Sequence, residues 1–220
     1  MNIYQLAELY LQKNSERLDV AEKADFRKNL TKFLGGDFVL ADEVYDFLVY
    51  EKLIKAQNRH EIFANYLAGK YSKESYKKIL DVGAGRLCKL SAKLSSLGYE
   101  VYAQDPKIRL TEQEAKNLSI KKISRFKFAC DDFSKNNAGT PVGAYDVLVG
   151  LEPCDATEHI IRQALKYDKP FDVHLCYAPH AALSGENFKT PEEWYKHLKS
   201  ISDEIKILQQ DSSFIATNNF

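Results

Sequence analysis

After Tyr76 the chain alternates between short apolar segments and amphipathic segments of helical spacing. The apolar segments predict strands at 78–82, 99–104, 126–130, 145–150 and 173–177, with a terminal pair near 205–209 and 214–217. The amphipathic segments predict helices at 87–97, 156–165 and 191–201. Strands that alternate with helices need crossover connections, which make the strands mostly parallel and bury them between helical layers. The sequence therefore predicts an α/β fold with a doubly wound, mostly parallel sheet.

The first part of the chain has a different pattern. Up to about Tyr76, apolar residues recur at spacings of three and four, as in Leu6, Leu9 and Tyr10, which is typical of one face of a helix. We therefore predict an N-terminal helical extension over residues 1–76 and an α/β domain over residues 77–220.

The charge balance and the cysteine positions exclude several classes of protein. Lys plus Arg number 31 and Asp plus Glu number 31, so the net charge is zero; proteins that bind mainly phosphate backbones usually carry an excess of cations. The four cysteines form no CxxC pair, which disfavours zinc-knuckle and thioredoxin-like proteins. No segment is typical of a signal peptide or a membrane span. We expect a cytoplasmic protein with free thiols and no membrane partner.

The segment KILDVGAGRLC at residues 78–88 is the most informative about function. Asp81 closes a predicted strand, and Gly83 and Gly85 follow before a predicted helix. Glycines let a ligand touch main-chain atoms where a Cβ would collide, and in an open parallel sheet such a turn lies where ligands bind. A charge at Asp81 would repel a pyrophosphate but attract a cationic ligand. A GxG turn, and a strand-end Asp that caps the next helix, also occur without any ligand.

Residues 78–150 resemble the cofactor-binding half of the class I S-adenosylmethionine-dependent methyltransferase superfamily. In that family an acidic residue ends the first strand, and a glycine-rich turn holds the methionine portion of the cofactor. Asp81, Gly83 and Gly85 match these positions, and Leu87 occupies the place where many members carry another glycine. The resemblance implies a Rossmann-like methyltransferase fold with S-adenosyl-L-methionine as cofactor.

The same resemblance assigns the acidic residues at the next two predicted strand ends. Asp105, at the end of the second strand, would accept hydrogen bonds from the two ribose hydroxyls. Asp131, at the end of the third, would receive the adenine amino group, and Asp132 and Phe133 would border the ring. The cofactor would then lie across the ends of adjacent strands.

The segment LEPCD at residues 151–155 would face the transferred methyl group in this family, but it lacks the Pro-Pro-aromatic motif of DNA amino-methyltransferases. Glu152 and Asp155 are candidate catalytic residues, although Asp155 could equally cap the following helix. His180 lies just beyond the fifth predicted strand and is the candidate general base. Cys154 has no basic neighbour in sequence, so we expect it to pack as a buried thiol.

These observations favour an enzyme, with alternatives. We predict a methyltransferase acting on a small molecule or another polar acceptor, with no metal, since no metal-ligand spacing is recognisable. The resemblance also implies that Arg59 and His60 face the cofactor cleft. The alternatives are a non-catalytic S-adenosylmethionine-binding or regulatory protein of the same fold, and an RNA methyltransferase. The basic run between residues 116 and 127 would serve the latter, but such runs are more often solvated surface, which makes nucleic acid a disfavoured partner.

Overall fold

The computed structural model describes residues 3–14, 29–50, 59–125, 141–176, 180–210 and 213–219. These residues form two compact units, residues 1–58 and residues 59–220. The helix that begins at Arg59 belongs to the second unit, whereas the sequence pattern changes at Tyr76.

The first unit is helical. It contains α1 (Ile3–Asn14), a helical segment at residues 29–33 and α2 (Phe38–Tyr50). Near the start of α2 the Asp37 carboxylate accepts a hydrogen bond from the backbone N–H of Leu40 at 3.0 Å, a contact typical of helix capping. The side chains that form the core of this unit are Ala7, Tyr10, Leu30, Ala41, Val44, Tyr45 and Leu48.

The second unit is built around a seven-stranded sheet. Its strands are β1 (Lys78–Val82), β2 (Glu100–Gln104), β3 (Lys122–Ser124), β4 (Val147–Leu151), β5 (Phe171–Leu175), β6 (Lys206–Gln210) and β7 (Ser213–Thr217). The order across the sheet is β3-β2-β1-β4-β5-β7-β6. The first five strands in this order pair in parallel, and β7 pairs antiparallel with both β5 and β6.

The helices of this unit are α3 (Arg59–Lys70), α4 (Lys89–Ser96), α5 (Glu112–Asn117), α6 (Thr157–Lys166) and α7 (Pro191–Ser200). Sequence signals mark two of their starts. Thr111 forms a capping box with Glu114 at α5, and Thr190 caps α7 just before Pro191. No described helix combines the length and the apolarity needed to cross a bilayer.

Helices cover both faces of the sheet. Alternate side chains of a strand point to opposite faces, and in β1 Ile79 packs with one cluster while Leu80 packs with another. The cluster around Ile79 includes side chains of α3 and α4, and the cluster around Leu80 includes side chains of α6 and α7. The predicted doubly wound, mostly parallel α/β architecture is confirmed.

The strand order fixes where a ligand can bind. From β1 the chain proceeds to β2 and β3 on one side and then returns to β4 and β5 on the other. The order therefore reverses between β1 and β4, and in open α/β sheets the crevice outside the carboxyl ends of the strands at this point is the usual binding site.

Three local predictions need correction or comment. The fifth strand is Phe171–Leu175, two residues earlier than predicted. The helix predicted at 87–97 begins later, because α4 starts only at Lys89 and Leu87 is 52% exposed in the preceding turn. The predicted strand at 126–130 lies outside the described residues, and the strand that pairs with β2 on the side away from β1 is β3.

Candidate functional site

The carboxyl ends of β1 and β2 bring four of the predicted cofactor residues to one edge. Asp81 pairs in register with Ala103, the second-last residue of β2. Asp105 comes directly after Gln104, the last residue of β2. Gly83 and Gly85 form the turn that leaves β1. The spatial grouping expected from the sequence is therefore present for Asp81, Gly83, Gly85 and Asp105.

The two glycines of this turn have different surroundings. Both have a positive φ, 72° at Gly83 and 71° at Gly85, a conformation that favours glycine. A Cβ on Gly83 would lie 2.6 Å from the Cβ of Pro153, so this position must be glycine for packing as well. At Gly85 no described atom lies within 4 Å of the corresponding point, so the space beside it is open to a ligand.

Asp105 ties the turn to the end of β2. Its Oδ2 accepts a hydrogen bond from the backbone N–H of Gly85 at 3.1 Å, and its Oδ1 accepts one from the N–H of Lys107 at 2.7 Å. A carboxylate can accept about four hydrogen bonds, so each oxygen keeps capacity for a ligand hydroxyl. Asp105 is only partly buried, which leaves that capacity accessible.

Asp81 is fully buried beneath the turn. The Ser91 hydroxyl donates a hydrogen bond to its Oδ2 at 2.5 Å, whereas its Oδ1 has no hydrogen-bond partner among the described residues. Burial raises the pKa of Asp81 to about 7; Ser91 opposes this shift, and the charge of Asp105 adds to it. Because Ser91 lies in the first turn of α4, Asp81 also anchors that helix.

The backbone conformation after the turn does not require a glycine at residue 87. The positive φ falls on Cys88, at 47°, and not on Leu87. The Cys88 thiol is buried, and burial, followed by the charges of Asp81 and Asp105, raises its pKa to about 12. Cys88 is therefore a packing residue and not a reactive thiol.

Three further predicted cofactor contacts cannot be located in this structure. Asp131, Asp132 and Phe133 lie outside the described residues. Their assignment to the adenine ring stays a prediction.

We call the place between β1 and β4, where the strand order reverses, the switch point. On its β4 side, Glu152 follows β4 with a positive φ of 51°. Its Oε2 forms an ion pair with the Arg59 guanidinium of α3, and its Oε1 lies 3.9 Å from His174 Nδ1. The backbone N–H of Glu152 donates to the His174 carbonyl at 2.8 Å, which fixes the turn to β5. Arg59 thus reaches the end of the sheet and directly contacts a candidate catalytic residue.

Asp155 and His180 form a second pair. His180 Nδ1 lies 3.7 Å from Asp155 Oδ1, and His180 Nε2 lies 2.6 Å from Cys176 Sγ. Burial lowers the pKa of His180, and the nearby Asp155 carboxylate opposes that shift. The alternative that Asp155 caps α6 is wrong, because residue 156 holds the cap position and no side chain caps the helix.

Cys154 lies beside this pair and differs from its prediction. It is exposed and not buried, with a φ of 52°. A hydrogen bond with Cys176 lowers the pKa of the Cys154 thiol, while partial shielding of the sulfur from water and the charges of Glu152 and Asp155 oppose the change.

Sequence reasoning missed Ser91 and Cys176, the partners of Asp81 and His180. A signal for Cys176 was present, because Cys154 and Cys176 follow adjacent strands whose carboxyl ends meet at one edge. Within the basic run, Arg125 donates to the carbonyls of Ile108 and Leu110 and so supports a loop.

Comparisons with known proteins agree with this architecture. No protein-family model and no curated protein matches the sequence. Among solved structures, the TehB-like SAM-dependent methyltransferase from Corynebacterium glutamicum is 14% identical, with a TM-score of 0.50 over 80% of this chain and 93% of that protein. WbdD in complex with a kinase inhibitor is 13% identical, with a TM-score of 0.50 over 74% of this chain and 41% of its own. The ribosomal protein L11 methylase from Lactobacillus delbrueckii subsp. bulgaricus is 13% identical, with a TM-score of 0.45 over 74% of this chain and 78% of its own.

The likeness to the C. glutamicum structure extends over most of both chains and is a likeness of fold, since the two sequences are only 14% identical. It agrees with the observed architecture of a mostly parallel sheet covered by helices. The chain therefore has the Rossmann-like fold of the class I S-adenosylmethionine-dependent methyltransferases.

Proposed function

We propose that this protein is an S-adenosylmethionine-dependent methyltransferase acting on a small molecule or another polar acceptor. One observation carries the proposal: a buried acid, an open glycine turn and a strand-end carboxylate meet at the ends of β1 and β2. The fold alone would support many activities, whereas this combination suits a nucleoside with a cationic end.

The residues present fit the cofactor. Gly85 leaves open space beside main-chain atoms, and Asp105 retains acceptor capacity for the two ribose hydroxyls. Asp81 has a buried carboxylate oxygen without a described hydrogen-bond partner, and above its pKa of about 7 its negative charge would attract the cationic end of the cofactor. When bound, S-adenosylmethionine supplies a methyl group on a sulfonium, which an acceptor nucleophile takes up. Asp131, Asp132 and Phe133 are the proposed contacts of the adenine.

On the acceptor side we propose Glu152, Asp155 and His180. All three follow β4 or β5, beside the switch point. Glu152 is held by Arg59, and Asp155 lies beside His180, so these groups are oriented before an acceptor binds. Orientation of this kind favours in-line attack on a methyl group.

Binding of S-adenosylhomocysteine, measured by calorimetry, tests the cofactor assignment. We expect a dissociation constant on the order of micromolar. Asp105→Ala should weaken binding about 10- to 100-fold, or about 1 to 3 kcal/mol, the range of a lost charged hydrogen bond. Asp203→Ala is the matched control, because Asp203 is exposed and far along the chain from the turn. Absence of binding to the folded protein, or equal affinity in both variants, would contradict the assignment.

A non-catalytic cofactor-binding protein is the second candidate. It is favoured by the partners of the predicted bases, since Glu152 is paired with Arg59 and His180 with Cys176 and Asp155. Incubation with a methyl-labelled donor and cell extract separates the two candidates. Transfer of label to any acceptor excludes the non-catalytic protein, and RNA as the labelled product would identify the third alternative.

We also propose a cytoplasmic location. Three cysteines in the described part of the chain, Cys88, Cys154 and Cys176, are free thiols. Free thiols, one of them exposed, suit a reducing compartment.

A further inference from the structure

Three side chains with metal-binding atoms lie together where β4 and β5 end. Cys154 follows β4, Cys176 follows β5, and His180 comes four residues later. Their donor atoms all lie within 4.8 Å of one another. We propose that Cys154, Cys176 and His180 form a binding site for Zn²⁺. The proposal does not depend on methyltransferase activity.

The donor types fit this ion. Thiolate sulfur and imidazole nitrogen are the ligands that Zn²⁺ prefers, whereas Mg²⁺ and Ca²⁺ prefer oxygen. Two thiols that each lose a proton to solvent and one neutral imidazole balance the charge of Zn²⁺. Binding therefore releases two protons and leaves the coordinated group neutral.

The distances require only a small adjustment. Zn–S bonds of about 2.3 Å and Zn–N bonds of about 2.0 Å at tetrahedral angles place neighbouring donors about 3.5 to 3.8 Å apart. Cys176 Sγ and His180 Nε2 are now 2.6 Å apart, and no pair of donors exceeds 4.8 Å. Shifts of about 1 Å, available to side-chain rotation, would bring all three to coordinating positions.

The orientation of the imidazole is a second, independent argument. His180 presents Nε2 to Cys176 and Nδ1 to Asp155, 3.7 Å from its Oδ1. Metal-bound histidines usually donate the other ring N–H to a carboxylate, which fixes the tautomer and the ring plane. The edge of the ring also contacts Trp194, with centroids 5.9 Å apart and an interplanar angle of 64°. The imidazole is therefore already positioned for binding through Nε2.

The fourth coordination position faces solvent. Cys154 is exposed, and the Asp155 side chain is 88% exposed. A site with three protein ligands and one open position holds water or an external ligand, as catalytic zinc sites do. In this assignment His180 is a metal ligand and not a free base.

Metal titration of the reduced, chelator-treated full chain tests the proposal. We expect about one equivalent of Zn²⁺ to bind by calorimetry, and Co²⁺ to produce thiolate-to-cobalt charge-transfer absorption. Cys154→Ser should remove about half of that absorption and weaken Zn²⁺ binding at least about tenfold. Because Cys154 is exposed, this variant leaves the core intact. Cys176→Ser and His180→Gln should give comparable losses of affinity.

Two further variants complete the test. Asp155→Asn should weaken Zn²⁺ binding about 10- to 100-fold through loss of the orienting carboxylate. Cys88→Ala, which removes a buried thiol outside the cluster, should bind Zn²⁺ and Co²⁺ like the parent. Absence of binding by the reduced parent would overturn the proposal, as would unchanged binding in Cys154→Ser. A Cys154–Cys176 disulfide in a protein that binds no Zn²⁺ when reduced would assign the cluster to redox chemistry instead.

Discussion

The candidate site has two edges, one at the ends of β1 and β2 and the other at the ends of β4 and β5, and they are built differently. At the ends of β1 and β2, backbone groups form the site. The N–H of Gly85 donates to Asp105, and the conformation of the glycine turn is set by residues within one short segment. At the ends of β4 and β5, side chains from distant parts of the chain hold one another, as in the Arg59–Glu152 pair. The turn conformation at the first edge is local, although its contacts with Asp105 and Pro153 form only on folding. At the second edge the Arg59–Glu152 pair depends entirely on tertiary folding.

This difference predicts how each edge responds to substitution. A change at the glycine turn alters backbone conformation or a close approach, so its effects are large and depend strongly on position. A change in a side-chain pair removes one contact and leaves the backbone in place, so its effects are smaller. The four predictions below test this contrast.

The largest effect is expected at Gly83. Gly83→Ala places a Cβ 2.6 Å from Pro153 at a φ of 72°, which should lower the free energy of unfolding by about 2 to 5 kcal/mol. Gly85→Ala is the matched control, because it has nearly the same φ without the collision and should cost about 1 to 2 kcal/mol. Urea unfolding measures both. Equal losses would show that Pro153 does not require a glycine at residue 83.

The next effect concerns the buried acid. The pKa of Asp81 is raised from 3.8 to about 7, so between these values the folded state holds a proton that the unfolded state has lost. Stability therefore falls as the pH rises through this window, by a few kcal/mol. Asp81→Asn, which can still accept from Ser91, should remove this loss and be more stable than the parent at pH 8 by about 2 to 4 kcal/mol.

Urea unfolding of parent and variant at several pH values measures this difference. At pH values below the ordinary pKa of an aspartate the two should have similar stability. Asp203→Asn is the control for the same change of side chain at an exposed position. A difference between parent and Asp81→Asn that is the same at all pH values would contradict the assigned pKa.

A smaller effect is expected at the second edge. Arg59→Ala leaves Glu152 without its guanidinium partner and should lower the free energy of unfolding by about 1 to 2 kcal/mol, since both side chains are largely buried. Lys93→Ala breaks the more exposed Lys93–Glu61 pair and should cost less than about 1 kcal/mol. A double-mutant cycle with Glu152→Gln isolates the coupling. Zero coupling between residues 59 and 152 would disprove the pairing.

The smallest effect is expected at Leu87. This residue is 52% exposed and has no positive φ, so Leu87→Gly should change the affinity for S-adenosylhomocysteine less than about twofold and stability by about 1 kcal/mol or less. Calorimetry and urea unfolding check both values. A tenfold gain in affinity would mean that the missing third glycine limits cofactor binding.

Much of the fold could be predicted from sequence because its signals are local. Alternation of apolar and amphipathic segments gave the α/β class, and β1 was predicted with its observed limits, Lys78–Val82. The predicted start of α4 was wrong because it depends on the backbone conformation of one residue. Cys88 adopts a positive φ, so α4 starts after Leu87 and the Leu87 side chain does not face the core. Periodicity alone does not reveal such a change.

The sequence by itself determined the mostly parallel sheet and the acidic and glycine residues at the ends of β1 and β2, because these follow from patterns within short segments. The strand order, which reverses between β1 and β4, came only with the tertiary structure. Only the tertiary structure decided that Arg59 pairs with Glu152, and that Cys154, Cys176 and His180 meet. Except for the contact between Cys176 and His180, these contacts join residues far apart in the chain. They form because hydrogen-bonded parallel strands bring separate carboxyl ends to one edge.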